Sequence, residues 1–329
     1  MKVIIPLAGR GTRLRPHTHT KPKPLMHVAG QPVLGHILDS LKGLDISSVY
    51  FATGHLKEQV EEYVKTKTGF KAVFREQKVM DGSAGAIRLF KDIVDEDVLI
   101  IFVDTIFETD LSIISGFKDD GIIWVKEVQD YQRFGVVVTG RDGTIKDMVE
   151  KPSEPISRLA NIGLYYIKDA KLMFECIEEL YLKAMVLKGE YYLPDAFKMM
   201  IQRGQRFRAV EVDGWFDCGK FETLLETNRI LLQRDGNAVH GSVSGSVIHE
   251  PVYIEKDAII EDSVIGPFVS VAAGAKITGA IIRNSIVNED ATVRNVNLDE
   301  SIIGFQAVVE DKTRKVNVGD HSSVSFHGA

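Results

Sequence analysis

A glycine-rich basic loop follows the first apolar run of the chain, Val3 to Leu7. From Val3 to Leu38 the sequence contains five basic residues and no Asp or Glu, although the net charge of the protein is -6. Glycine lets the backbone approach a ligand and expose its N–H groups, while Arg and Lys donate charge-assisted hydrogen bonds to phosphate. The pattern favours an anion site over a solvated glycine turn. The loop contains Gly9, Arg10, Gly11, Arg13 and Arg15, and Lys21 and Lys23 follow it.

A carboxylate stands at the end of another apolar run. Asp104 follows the segment from Asp97 to Val103, which predicts a buried strand. A carboxylate at the carboxyl end of a central strand is poorly placed for packing and well placed for a site. The spacings of a Walker loop and of a Rossmann dinucleotide loop are both missing here.

Predicted strands and helices alternate around these residues. Apolar spacing predicts helices over residues 33–41 and 57–67, with strands over 48–53 and 71–75. This alternation is typical of an α/β fold, whose ligands bind at the carboxyl ends of the strands. From Gly121 to Ile167 the pattern becomes strand-rich. An amphipathic helix over Ala170 to Leu182 then places Cys176 in the core.

Ordered motifs in the first 233 residues resemble one family, the sugar-1-phosphate nucleotidylyltransferases, also called NDP-sugar pyrophosphorylases. The resemblance begins with Gly9-Arg10-Gly11-Thr12-Arg13-Leu14 and Pro22-Lys23-Pro24. It implies a Rossmann-like mixed-sheet nucleotidyltransferase domain over residues 1–235. It also implies that main-chain groups of the loop cradle a nucleotide, with Gln77 and Gly82 against its base. The loop residues concerned are Leu7, Ala8, Gly9, Gly11 and Thr12.

The same resemblance implies roles for residues further along the chain. Arg133-Phe134-Gly135-Val136 and Glu150-Lys151-Pro152 resemble the sugar phosphate motifs, so Gly135, Glu150 and Asn161 are expected at the sugar. Trp215-Phe216-Asp217-Cys218-Gly219 resembles the motif that carries a second metal ligand. The resemblance therefore implies Mg²⁺ held by Asp104 and Asp217, and phosphates contacted by Arg13, Lys23 and Lys151. Asp217 could equally cap the helix that follows it.

A short repeat occupies the C-terminal part of the chain. Ten β-branched or leucine positions recur between Ile254 and Ile303 in steps of five or six residues. This period predicts a hexapeptide-type parallel β-helix, and it resembles the left-handed β-helix of many of these enzymes. We expect this domain over residues 236–329, with the register interrupted from Phe305 to Val318. The positions are Ile254, Ile260, Ile265, Val271, Ile277, Ile282, Val287, Val293, Leu298 and Ile303.

Composition limits the class of protein. With 329 residues and an apolar share of 44%, the chain can form two domains with sizeable cores. The acidic balance, with a pI near 5.9, argues against nucleic acid as a partner, and no apolar run is long enough to span a membrane. Two cysteines argue for a reducing cytoplasm.

Three alternatives remain open at this level. The nucleotide is GTP, dTTP or UTP, and the sugar is glucose or mannose by family frequency alone. A non-catalytic NDP-sugar-binding regulatory subunit would carry the same motifs. A β-helix of this kind can also be an acyltransferase, but His249 and His321 lie near the ends of a short repeat. We expect the β-helix to be structural and the protein to be a homo-oligomer.

Overall fold

The computed structural model describes residues 1–67, 69–187, 189–312, 318 and 322. The chain forms two compact units, and the second begins at Asn228. This division falls within one helix, so the domain boundary expected between residues 235 and 236 stays a prediction.

Strands and helices of the first unit alternate as the sequence predicts. The strands are β1 (Lys2–Pro6), β2 (His27–Val28), β3 (Gln31–Pro32), β4 (Ser48–Thr53), β5 (Lys71–Glu76), β6 (Val98–Ile101), β7 (Thr105–Glu108), β8 (Gly121–Glu127), β9 (Gly135–Thr139), β10 (Ile145–Glu150), β11 (Leu159–Ile167), β12 (Phe207–Glu211) and β13 (Gly214–Asp217). The helices are α1 (Val33–Ser40), α2 (Lys57–Lys65), α3 (Ser83–Arg88), α4 (Ala170–Leu182), α5 (Leu193–Gln202) and α6 (Phe221–Asp235). Short 3-10 turns cover Thr12–Leu14, His17–His19, Lys23–Leu25, Leu111–Ile114 and Tyr131–Arg133.

The main sheet has nine strands and mixed direction, which confirms the predicted fold class. Its central path runs β10-β9-β11-β6-β1-β4-β5, and β8 and β12 extend it beside β11. The strands β6, β1, β4 and β5 are parallel, as expected for strands joined by helical crossovers. From β8 onward most pairings are antiparallel. A two-stranded ribbon of β7 and β13 lies outside this sheet.

The strand that leads to Asp104 is shorter than the sequence predicts. Strand β6 ends at Ile101, and Val103 and Asp104 form a turn before β7. An unbroken apolar run cannot reveal this turn, because Val103 is buried like a strand residue. Asp104 thus belongs to a turn between two strands of different sheets. Helix α4 has the predicted bounds, and Cys176 is fully buried in the core as expected.

The second unit is a stack of short parallel strands in three sheets. The strands are β14 (Ala238–Val239), β15 (Ser242–Ser244), β16 (Val247–Ile248), β17 (Val252–Ile254), β18 (Ile259–Glu261), β19 (Val264–Ile265), β20 (Val269–Val271), β21 (Lys276–Thr278), β22 (Ile281–Arg283), β23 (Ile286–Val287), β24 (Thr292–Arg294), β25 (Asn297–Asp299), β26 (Ile302–Ile303) and β27 (Val308–Glu310). Each strand pairs with the strand three positions later in the chain, so β17 lies on β20 and β18 on β21.

The predicted repeat positions form the core of this β-helix. Nine of the ten are buried, from Ile254 to Ile303, and Leu298 packs against them partly buried. Corners between strands use the left-handed backbone region, for example at Asn284 and Asn295. Asn and Gly adopt that region most readily, which lets each coil turn sharply.

The predicted interruption from Phe305 to Val318 is wrong at its start. Residues Val308–Glu310 form β27 and pair in register with β24. The charged residues of this segment do not prevent the pairing, because side chains on the outer face of a coil need not be apolar. Residues 313–317 lie outside the described part of the chain, as does His321. No helix within the described ranges combines the length and apolarity that crossing a membrane requires.

Candidate active site

The carboxyl ends of β1 and β6 open into one large cavity. Its volume is about 660 Å³, and it brings together residues from loops far apart in the sequence. Eleven of the predicted site residues line it: Gly9, Gly11, Thr12, Arg13, Lys23, Asp104, Gly135, Glu150, Lys151, Asn161 and Asp217. The loops after β1 and β6 supply six of the eleven, as expected at the carboxyl edge of an α/β sheet, and the later strands β9, β10, β11 and β13 or residues next to them supply the other five.

A side cavity of about 270 Å³ adjoins the main cavity and shares Gly9, Lys23 and Asp104 with it. It is lined by Leu7, Gln77 and Gly82, the remaining predicted nucleotide residues except one. Ala8 is that exception. It is buried and lines a third cavity of about 320 Å³, together with Arg10 and Arg15.

The backbone conformation of the glycine loop requires glycine at position 11 and leaves several N–H groups free. Gly11 has φ +61°, and a Cβ there would lie 2.9 Å from the Lys23 Cβ, so only glycine fits. The Thr18 hydroxyl donates to the Gly11 carbonyl at 2.8 Å. Among the described residues, the N–H groups of Gly9, Arg10 and Gly11 have no hydrogen-bond acceptor. Adjacent free N–H groups of this kind suit an anion.

Two of the cations at the main cavity are not neutralised by the protein. Arg13 and Lys23 line it, and neither forms an ion pair with a described residue. The Lys23 Nζ lies 3.7 Å from the point where a Cβ on Gly219 would stand, next to Asp217. Unpaired positive charge in a concave site attracts phosphate.

The ribbon of β7 and β13 brings the two predicted metal ligands together. Asp217 pairs with Thr105, the residue after Asp104, and the Cys218 N–H donates to the Asp104 carbonyl at 2.8 Å. The Asp217 Oδ1 also accepts from the Gly219 N–H at 2.7 Å, before α6 begins. Within the described residues no three Asp, Glu, His or Cys side chains group closely enough to hold a metal by themselves. A pair of carboxylates nevertheless suits Mg²⁺, which commonly takes one or two carboxylates and completes its shell with phosphate and water.

Another part of the cavity lining carries a carboxylate, an ammonium group and an amide. The Lys151 Nζ contacts the Glu150 Oε1 at 2.7 Å. Burial opposes the charge of Lys151, but the hydrogen bond and charge of Glu150 raise its pKa above the ordinary value. The Asn161 Nδ2 donates to the Gly135 carbonyl at 2.8 Å, and its Oδ1 accepts from the Tyr165 hydroxyl. Asn161 therefore braces this wall and keeps one N–H for a ligand.

Several cavity residues were not predicted from the sequence. Five aromatic side chains line the main cavity, and two of them, Phe134 and Trp215, stand inside motifs quoted above. Phe102 and Tyr165 come from apolar strands, where an aromatic residue is expected to be core and carries no separate signal. Burial, reinforced by Glu150 and Asp104, raises the pKa of Tyr165, so its hydroxyl stays a donor. The five are Phe102, Phe134, Tyr165, Tyr192 and Trp215.

Comparison with known proteins decides the family. Residues 2–234 match the family described as "Nucleotidyl transferase". This chain belongs to the nucleotidyl transferase family. Residues 232–300 match "GlmU-like, C-terminal hexapeptide", in agreement with the repeat.

Relatives of this nucleotidyl transferase differ in length. A protein of Methanocaldococcus jannaschii named "Bifunctional protein GlmU" is 36% identical over 266 residues, covering 80% of this chain and 61% of the relative. The chain thus spans about 61% of that protein. The "Glucose-1-phosphate thymidylyltransferase" of Streptomyces antibioticus is 28% identical, and the match covers 99% of each chain.

A solved structure supports the fold. A Bacillus anthracis protein, assigned as a glucose-1-phosphate thymidylyltransferase and solved with sucrose, is 29% identical. It superposes with a TM-score of 0.63 over 70% of this chain and 94% of its own. The nucleotidyl transferase fold and the predicted family are therefore confirmed, while the roles of individual site residues stay predictions.

Proposed function

We propose that this protein transfers a nucleoside monophosphate from an NTP to a hexose 1-phosphate and releases pyrophosphate. The observation that carries the proposal is the main cavity itself. The unpaired cations Arg13 and Lys23 line it together with Asp104, Asp217 and Lys151. Such a site fits two phosphorylated ligands that meet.

The proposed reaction needs charge neutralisation more than proton transfer. A phosphate oxygen of the sugar 1-phosphate attacks the α-phosphorus in line, and the bond from that phosphorus to the bridging oxygen of the β-phosphate breaks. The attacking oxygen is already anionic, so no general base is needed. Catalysis then consists of positioning and electrostatic stabilisation.

The roles proposed for these residues are those that the family resemblance implies. Arg13, on the glycine loop, neutralises the leaving pyrophosphate, and the exposed N–H groups of that loop bind the nucleotide. Lys23, beside Asp217, acts at the α-phosphate. Lys151 receives the sugar phosphate, while its neighbour Glu150 accepts hydrogen bonds from sugar hydroxyls. Gly135 and Asn161 shape the surface against the sugar ring.

Asp104 and Asp217 would hold Mg²⁺ in this scheme. When bound there, the ion would neutralise phosphate charge and orient the two substrates. The support is their adjacency, since Asp217 pairs with Thr105, the residue after Asp104.

The identity of the substrates is a narrower proposal. One relative is named for glucose-1-phosphate thymidylyl transfer, so glucose 1-phosphate with dTTP is a leading pair. Transfer from UTP or GTP, and to mannose 1-phosphate, stay within the proposal. We further propose a cytoplasmic homo-oligomer, with a structural β-helix whose stacked coils offer flat faces for assembly.

One experiment tests the reaction and identifies the preferred nucleotide and sugar 1-phosphate. Pyrophosphate release is measured with Mg²⁺ for ATP, CTP, GTP, UTP and dTTP, each against glucose, mannose, galactose and N-acetylglucosamine 1-phosphates. One preferred pair supports the proposal. If no combination releases pyrophosphate but calorimetry shows NDP-sugar binding, the proposal is contradicted and a non-catalytic binding subunit is indicated. The double variant Arg13→Ala with Lys23→Ala is the control for background hydrolysis.

A further inference from the structure

The amide of Gln77 has one defined orientation in the side cavity. Gln77 follows β5 and is only 7% exposed. Its Nε2 donates to the Asp81 Oδ1 at 3.1 Å and to the Gly82 carbonyl at 3.0 Å. A carboxylate and a carbonyl can only accept, so the NH₂ group must face them. The Oε1 accepts from no donor among the described residues and is therefore available to a ligand. Gln77 lines both the side cavity and the third cavity.

Asp81, which holds that amide, is itself fixed by a residue one hundred positions away. The Tyr181 hydroxyl donates to the Asp81 Oδ2 at 2.5 Å. The Tyr181 ring stacks on Tyr191 with centroids 3.9 Å apart, and the Arg88 guanidinium lies 4.1 Å from its centre. The Tyr191 N–H in turn donates to the Asp81 carbonyl at 2.7 Å.

Gly85 leaves the space that this network needs. A Cβ at Gly85 would lie 1.9 Å from the Asp81 Oδ1 and 2.8 Å from the Tyr181 hydroxyl oxygen. A side chain at position 85 would therefore collide with the Asp81 carboxylate. Burial and the bond to Asp81 keep Tyr181 protonated, since both raise its pKa.

We propose that Asp81 and Tyr181 are positioning residues that fix Gln77 as a hydrogen-bond acceptor and so select the nucleobase. The inference rests on the proposed function and gives a physical reason for its choice of nucleotides. A fixed acceptor matches a base with a ring N–H, which uracil, thymine and guanine carry. Cytosine and adenine carry a lone pair at the matching ring nitrogen, so they can pair with this acceptor only by shifting to offer the exocyclic NH₂ group. The site thus favours UTP, dTTP or GTP over CTP and ATP.

The test compares selectivity between variants that differ by one hydrogen bond. In Asp81→Ala the amide loses one acceptor and can turn, so the ratio of kcat/KM for the preferred nucleotide over CTP should fall about tenfold or more. The loss should come from a higher KM for the nucleotide, with the KM for sugar 1-phosphate unchanged. Tyr181→Phe should move the ratio in the same direction.

Two variants serve as controls. Asp81→Asn keeps an oxygen for Gln77 and offers its NH₂ to the Tyr181 hydroxyl, so it should restore the wild-type ratio. Tyr191→Phe keeps the ring stack and should leave the ratio unchanged. Urea unfolding midpoints are compared for all variants, and Tyr181→Phe carries the test if Asp81→Ala fails to fold.

The outcomes separate this inference from the proposed function. Transfer activity in the wild type with a preference for CTP or ATP would overturn the inference and leave the function standing. Unchanged selectivity in both Asp81→Ala and Tyr181→Phe would also overturn it. A wild type that neither transfers nor binds any nucleotide would overturn both.

Discussion

At the scale of single residues, the site contains basic side chains that form no ion pair with a described residue. Elsewhere in the first unit, basic residues such as Arg88 and Lys57 meet carboxylates. Arg13 and Lys23 meet none among the described residues. A bound phosphate can therefore pair with both side chains without first displacing a protein carboxylate from them.

Replacement of Arg13 should therefore affect catalysis strongly. We expect Arg13→Ala to lower kcat by about 10²–10³-fold, because the cation stabilises charge that develops on the leaving pyrophosphate. Arg15→Ala is the matched control, since Arg15 belongs to the same loop but lines another cavity. Steady-state pyrophosphate release measures both. Equal rates in the two variants would remove the assignment of Arg13.

Asp217 can be tested apart from its structural bond. Asp217→Asn retains an Oδ1 that can accept from the Gly219 N–H, so the start of α6 should survive. The lost negative charge should raise the Mg²⁺ concentration for half-maximal activity on the order of tenfold or more. A metal titration measures this. An unchanged titration would reduce Asp217 to a helix-capping residue.

Gly135 gives a prediction specific to the sugar. A Cβ there would lie 2.3 Å from the Asn161 Nδ2 and 2.7 Å from the Glu150 Oε2. Both groups must shift in Gly135→Ala, and the KM for sugar 1-phosphate should rise on the order of tenfold. The KM for the NTP serves as the internal control and should stay constant. A parallel rise in both constants would argue against a sugar-specific wall.

At the scale of elements, pairings between distant segments place the chemistry. The β7 and β13 ribbon joins Asp104 to Asp217 across more than one hundred residues. Helices α3 and α4 are tied in a similar way. The Arg88 guanidinium contacts both oxygens of Glu178, at 2.8 and 2.7 Å, and Lys91 adds a third contact at 2.9 Å.

This helix contact predicts a pH dependence of stability. The hydrogen bond from Arg88, against a smaller opposing effect of burial, lowers the pKa of Glu178 to about 2. A pKa below the unfolded value means that the stabilisation is present above about pH 4.5 and is lost as the pH falls towards 2. After solvent screening, we expect a contribution of about 1 kcal/mol.

Urea unfolding at pH 7, 5 and 3 measures that contribution. Glu178→Gln should lower the free energy of unfolding at pH 7 and flatten its decline towards pH 3. Glu175→Gln is the matched control, since Glu175 lies exposed on α4 with no ion pair to a described residue. If the two variants show the same pH profile, the contact does not stabilise the helices.

At the scale of the whole molecule, each unit has a separate core. The second unit contains the end of α6 as well as the β-helix. Within it, the Asn228 Nδ2 donates to the Phe268 carbonyl at 3.3 Å, and its Oδ1 accepts from the Ser270 hydroxyl at 2.6 Å. Asn228 and Ser270 are both buried, so neither can exchange this bond for water.

Asn228→Ala should for this reason destabilise the protein by about 1–3 kcal/mol, because it leaves buried polar groups unpaired. Thermal unfolding followed by calorimetry measures the loss. Asn297→Ala is the matched control on an exposed coil position, and we expect a change within about 0.5 kcal/mol. Similar losses for both variants would show that the contact of α6 with the coil adds nothing.

The sequence by itself determined the family, the mixed α/β class, the basic loop and the β-helix. Each of these is encoded locally, by a motif, a charge bias or a period of about five and a half residues. Eleven predicted site residues do line one cavity. Six of them lie on the loops after the parallel strands β1 and β6, at one edge of the sheet, and the other five lie on or next to the antiparallel strands β9, β10, β11 and β13.

Tertiary structure alone decided the finer geometry. The turn that ends β6 before Asp104 is invisible in an apolar run, since its residues are buried either way. The bond from Tyr181 to Asp81, and so the orientation of Gln77, joins positions one hundred residues apart with no local pattern. A side chain's hydrogen-bond partners depend on packing between elements, and packing is a property of the folded chain rather than of any segment.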